Sequence, residues 1–225
     1  MFDASDDSLF PLQGALGYDI HQTLFVGPNT LLVEGPADLL IINAMSALLE
    51  REGKAGLSPK WTLTPVGGSG RIPTFVKLLT NQKGMRLATL IDVQDKDRPH
   101  IEALYTSKLL KKANVRTYGD YTKTREADVE DMFDVDFYLA LINAEYANSL
   151  SAPITESDMT FKSPRVLKRL DAYFGDHALK TGSFGHYRPA RFLHENLAAL
   201  SGKISEATKA RFIEAFEDLN ALLPK

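Results

Sequence analysis

LLVEGPADLL, residues Leu31 to Leu40, runs three strand-forming apolar residues into Glu34, turns at Gly35-Pro36 and places Asp38 at the head of a second apolar run. The stretch reads as a strand passing into a helix, with two carboxylates at the junction. A buried carboxylate without compensation is costly, so such groups take up a proton, a cationic partner or a metal. The same grammar recurs downstream. Trp61 to Val66 is predicted as a second strand closed by the turn GGSG, Arg86 to Ile91 as a third ending at Asp92, and Asn114 to Tyr118 as a short fourth. Predicted helices over 39–52, 72–80 and 99–112 separate them, so the expectation is βαβ units, an α/β class and a parallel sheet flanked by helices. Acids at the carboxyl ends of such strands lie where open α/β sheets bind ligands.

Upstream, Leu12, Leu16, Ile20 and Leu24 recur every four residues and predict an amphipathic lead-in helix over 10–25. Downstream of Asp128 the pattern becomes helix after helix, over 128–148, 163–174, 189–200 and 205–223. Prolines and small polar residues over 149–164 mark a linker into this helical annex. The domain reading is a lead-in over 1–29, a core over 30–148 and a C-terminal helical subdomain over 149–225.

Cysteine is absent, which excludes disulfides and thiolate metal sites; any metal is held by oxygen or imidazole. The start is acidic, lacks a signal-peptide pattern, and no stretch is long enough to span a bilayer, so a cytoplasmic protein without membrane contact is expected. The formal charge of −3 is unevenly spread. Lys108, Lys111, Lys112, Arg116, Lys123 and Arg125 face a single acid, Asp120, and Glu126 to Asp136 then supply six acids and no base. This is either a pair of solvated helix faces or a phosphate track beside a metal site. Glu34, Asp38 and Asp92 together would repel one another without a cation between them, and Mg²⁺ suits an all-oxygen group.

LLVEGPADLL, TPVGGSGRIPTF (64–75), ATLIDVQDKD (88–97) and READVEDMF (125–133), in this order and spacing, resemble the Toprim nuclease half of the OLD (overcoming lysogenization defect) family of ATP-dependent endonucleases. LFPLQGALGYDIHQTLFVGPN (9–29) resembles the segment leading into that half. The resemblance implies a Toprim-like sheet and Mg²⁺- or Mn²⁺-dependent DNA cleavage with two ions. By position Glu34, Asp38 and Asp92 match the family's first three acids. The second acid of its Asp-x-Asp motif falls on Gln94, so either Asp95 or Asp97 is the candidate replacement or the site holds one metal less firmly. Asp128 and Glu130 match the distal ligands, with Glu126 a third candidate. The family also uses a basic residue near its C-terminus, here among Lys180, His186, Arg188 and Arg191. His186 is the candidate for orienting or protonating a leaving oxygen, and Arg188 joins the residues expected to contact DNA.

The family carries an ATPase half ahead of the Toprim half, and no GxxxxGK[ST] P-loop occurs in this sequence. The expectation is an endonuclease lacking the usual ATPase half, with DNA, a separately encoded ATPase and a second copy of the chain as candidate partners. GGSG is read as a structural turn. Two rivals stay open: a topoisomerase- or primase-like activity, with Tyr118, Tyr121 or Tyr187 as nucleophile, and a degenerate module that binds DNA or a partner without cutting.

Overall fold

The computed structural model describes residues 27–80 and 84–224. The lead-in helix expected over 10–25 lies outside them. Four strands form one parallel sheet: β1 (Asn29–Val33), β2 (Thr62–Pro65), β3 (Arg86–Ile91) and β4 (Val115–Thr117), in the spatial order β2-β1-β3-β4. Leu31 pairs with Leu63 on one side and Ala88 on the other. Leu31, Leu32 and Val33 are wholly buried, as a central parallel strand covered on both faces requires.

Helix α1 (Pro36–Arg51) connects β1 to β2, α2 (Ile72–Thr80) connects β2 to β3, and α3 (Arg98–Thr106) precedes β4. The chain steps from β1 outward to β2, then crosses back to the far side of β1. With right-handed crossovers this reversal sets α1 on one face of the sheet and α2 with α3 on the other. It also makes the gap between the carboxyl ends of β1 and β3 a topological switch point. Glu34 and Asp92 are the residues that follow those two strands.

Helix α1 starts earlier than its apolar periodicity predicts. Pro36 takes the first turn, where its missing N–H costs nothing, and Asp38 lies inside the helix with its carboxylate accepting from the amide of Gly35 ahead of it. Helix α3 ends at Thr106, well short of Lys112, because Lys108 adopts a left-handed conformation (φ 58°) that no helix continues through. The helix expected over 128–148 is divided. A 3₁₀ turn covers Val129–Met132, Phe133 is extended, and α5 runs over Val135–Glu145. A short α4 (Gly119–Thr122) precedes that turn.

Residues 149–165 contain one short 3₁₀ turn, Glu156–Asp158, and lead to α6 (Val166–Asp176), α7 (Tyr187–Glu195), α8 (Leu197–Leu200) and α9 (Glu206–Asn220). Ser205 caps α9, its hydroxyl accepting from the Thr208 amide at 3.1 Å. Helices α7 and α9 both pack on α1, and the buried apolar residues of sheet and C-terminal helices form one continuous cluster. Phe133 contacts Phe137 and Phe212 at ring-centroid distances of 5.4 Å, joining the segment after β4 to α9. Among the described residues no helix is long and apolar enough to cross a membrane.

Candidate metal centre

Glu34 leaves β1 into a cradle made by the GGSG turn. Its carbonyl accepts from the amides of Gly67 (2.8 Å) and Gly68 (3.1 Å), and its Oε2 accepts from the Ser69 amide at 3.1 Å. Gly67 and Gly68 adopt φ of 79° and 116°, which a side chain would strain. The turn therefore positions a carboxylate, and these three amides are spent on it. The other oxygen, Oε1, is buried with no hydrogen-bond partner. Burial first, then the charges of Asp38 and Asp97, push the Glu34 carboxyl up to about 8.

Asp38 is satisfied on both oxygens. Oδ2 accepts from the Gly35 amide at 3.0 Å, and Oδ1 accepts from the Tyr118 hydroxyl at 2.7 Å. Burial raises its pKa to about 6 although the Tyr118 bond opposes the shift. Tyr118→Phe leaves that buried Oδ1 without a donor, and the expected loss of unfolding free energy in urea titration is about 1–3 kcal/mol. Tyr118 and Tyr121 are buried, which removes both as nucleophiles toward DNA, while Tyr187 is exposed.

Asp92 follows β3, and its Oδ1 is also buried without a partner. Burial, then Asp38 and Glu34, hold its pKa well above the usual carboxylate range. Glu130, in the 3₁₀ turn after β4, is 2% exposed and its Oε1 is the third orphan. Burial and the charges of Asp128 and Asp38 raise it likewise. A cavity of about 380 Å³ is bordered by Glu130, Asp131, Asp134 and Arg211. Three carboxylates from three separate segments thus each keep one buried oxygen without a hydrogen-bond partner, and Asp92 feels the charges of both Glu34 and Glu130. Among the described residues no three acidic or imidazole side chains already stand in ligating geometry for one ion. The donor set, oxygen throughout and strained toward protonation, is chemically that of a hard divalent cation.

The remaining acids divide. Asp128 is fully buried beside this group, but Arg165 claims both its oxygens: Nε donates at 2.9 and 2.8 Å, and Nη2 donates to Oδ1 at 2.5 Å. Arg165 falls in a basic run with Lys162, Lys168 and Arg169 that reads as a solvated or DNA-facing helix surface, and the structure corrects this reading for Arg165, whose side chain is 8% exposed. Asp131, also missed, accepts from the amides of Asp128 (2.8 Å) and Val166 (2.7 Å) and so locks that pair in place. Asp95 is excluded from the cluster: it is exposed and paired with Arg125 at 2.7 Å and Arg98 at 3.1 Å. Asp97 precedes α3 and reaches Glu34 through its charge alone. Glu126 accepts from the Asp95 amide at 2.9 Å and faces Lys168 at 3.8 Å.

The expected phosphate track is not continuous. Lys108, Lys111 and Lys112 lie between α3 and β4, at the amino edge of the sheet, where Asn114 donates to the Leu87 carbonyl near the start of β3. They are at the opposite edge from the acids. Arg116 pairs with Asp218 at 3.4 Å, Lys123 with Glu214 at 2.7 Å and Arg188 with Glu145 at 2.7 Å. Arg188 also stacks on Tyr146, and Arg191 faces Glu145 and Glu195. His186 is half exposed, with Nδ1 3.8 Å from Glu130 Oε1.

The fold has solved counterparts. The C-terminal region of the Burkholderia pseudomallei OLD protein matches with a TM-score of 0.52 and 14% identity, over 88% of this chain and 100% of that one. The fold is that of the OLD C-terminal region. The corresponding region of the Xanthomonas campestris pv. campestris OLD protein matches with a TM-score of 0.50 and 16% identity, over 88% of this chain and 98% of that one. No protein-family model matches the sequence, and no curated protein matches it. In this fold Glu34 and Asp92 fall at the switch point between β1 and β3.

Proposed function

We propose that the chain is a divalent-metal-dependent endonuclease that hydrolyses phosphodiester bonds in DNA. The observation that supports this most is the set of three orphaned, buried carboxylate oxygens of Glu34, Asp92 and Glu130 at the carboxyl edge of the sheet. Mg²⁺ or Mn²⁺, when bound, supplies Lewis acidity and lowers the pKa of water. The chain's own residues do the rest. Glu34, Asp92 and Glu130 hold the ion, with Ser69 orienting Glu34. Asp38, fixed by Tyr118 and the Gly35 amide, adds negative charge beside them. His186, exposed next to Glu130, is the group placed to hand a proton to a departing oxygen. Contacts to the DNA backbone would come from exposed bases at this edge, Lys123 and Arg125 among them, which exchange their surface partners Glu214 and Asp95 for phosphate, and so depend strongly on salt.

Nicking of supercoiled plasmid in millimolar Mg²⁺ or Mn²⁺ tests this. Cleavage by the wild-type chain should fall in Glu34→Ala by more than the roughly 10–100-fold that accompanies loss of a group merely supporting a metal ligand. Equal cleavage by the two proteins would overturn the assignment.

A further inference from the structure

Resting on that reading of a metal centre, we propose that Arg165 is a built-in cation standing where a second divalent ion would otherwise be needed. The centre then takes a single Mg²⁺ or Mn²⁺ on Glu34, Asp92 and Glu130, and Asp128 is not a ligand.

Three observations carry the proposal. Both Asp128 oxygens are occupied by the Arg165 guanidinium, in a pair whose members are 0% and 8% exposed. To bind a metal Asp128 would have to release a buried guanidinium that stays charged at any pH a protein survives. Asp131 meanwhile holds the pair from both sides, accepting from the amides of Asp128 and Val166, the latter adjacent to Arg165. Finally, among the described residues the buried carboxylate oxygens without a hydrogen-bond partner are one each from Glu34, Asp92 and Glu130, and Gln94 adds no charge where a further acid would stand. Three carboxylate oxygens completed by water suit one hexacoordinate ion. The neighbouring acids Asp128 and Asp38 have both oxygens taken by hydrogen bonds within the protein.

Mn²⁺ binding to the whole chain, followed by electron paramagnetic resonance of the free ion and by calorimetry, decides the matter without recourse to activity. The wild type should bind one Mn²⁺ per chain. Asp128→Asn should keep that one ion, with Kd changed by less than about 10-fold, whereas Asp92→Asn and Glu130→Gln should each weaken it by more than about 100-fold. Arg165→Met frees Asp128 and should admit a second Mn²⁺; near-ultraviolet circular dichroism establishes that the variant is folded. Should it not fold, the wild type and Asp128→Asn decide. Two ions in the wild type, loss of the ion in Asp128→Asn, or a folded Arg165→Met that still takes one would overturn the inference and leave the metal centre standing. Absence of any Mn²⁺ binding in the wild type would overturn both.

Discussion

Arg165→Leu should lower the unfolding free energy by about 3–5 kcal/mol, the cost of leaving one member of a buried ion pair without its partner. For a chain of this size that is a fall in melting temperature on the order of 10 °C, readable by calorimetry. The cause is desolvation: Asp128 has no exposed surface and loses every donor to its carboxylate at once. The double change Arg165→Leu with Asp128→Leu should recover most of the loss, since apolar side chains of comparable volume ask for no partner. If the single variant melts within a degree or two of wild type, the pair is a solvated contact and the charge balance assigned to the centre is wrong.

Thermal stability in chelator should fall as pH rises from about 5 to 8. Glu34 titrates near 8 in the folded chain against an ordinary value of 4.5. Between those values the folded protein holds a proton that the unfolded chain releases, so raising the pH favours unfolding, by up to about 1.4 kcal/mol per unit for one group. Asp38, raised to about 6 from 3.8, acts in the same sense over the lower part of the window. Glu34→Gln removes the titrating proton and should flatten the slope. Divalent ion should do the opposite of the chelator, because it replaces the protons on these carboxylates and binds more tightly as they leave. The rise in melting temperature on adding millimolar Mn²⁺ should therefore be larger at pH 8 than at pH 6. A slope of the other sign in chelator would mean that the acids are already neutralised by cationic side chains.

Much of this arrangement is legible in the chain itself, and the illegible parts have physical reasons. Strand followed by acid followed by turn is a local signal, and it places Glu34 and Asp92 on the right edge of the sheet with β3 at its observed bounds. Lys108 to Lys112 mislead because charge composition carries no direction: only the course of α3 back across the sheet reveals that they emerge at the far edge. Arg165 misleads because it shares a basic run with exposed Lys162 and partly exposed Lys168, while its own burial depends on Asp128, 37 residues earlier. Tyr118 stands 80 residues from Asp38, and no local pattern announces their hydrogen bond. What an individual side chain does follows from neighbours that only the tertiary fold supplies.

The central pairing of β1 with β3, Leu31 opposite Ala88, closes a long stretch of chain before two of the three orphaned oxygens can meet. Glu130 joins only after a further crossover and the turn beyond β4. A denatured chain consequently presents isolated carboxylates with no chelate advantage, and assembly completes late along the folding coordinate. An ion that recognises only the finished arrangement leaves the refolding rate nearly untouched and slows unfolding, so its benefit is measured in lifetime against heat and proteases.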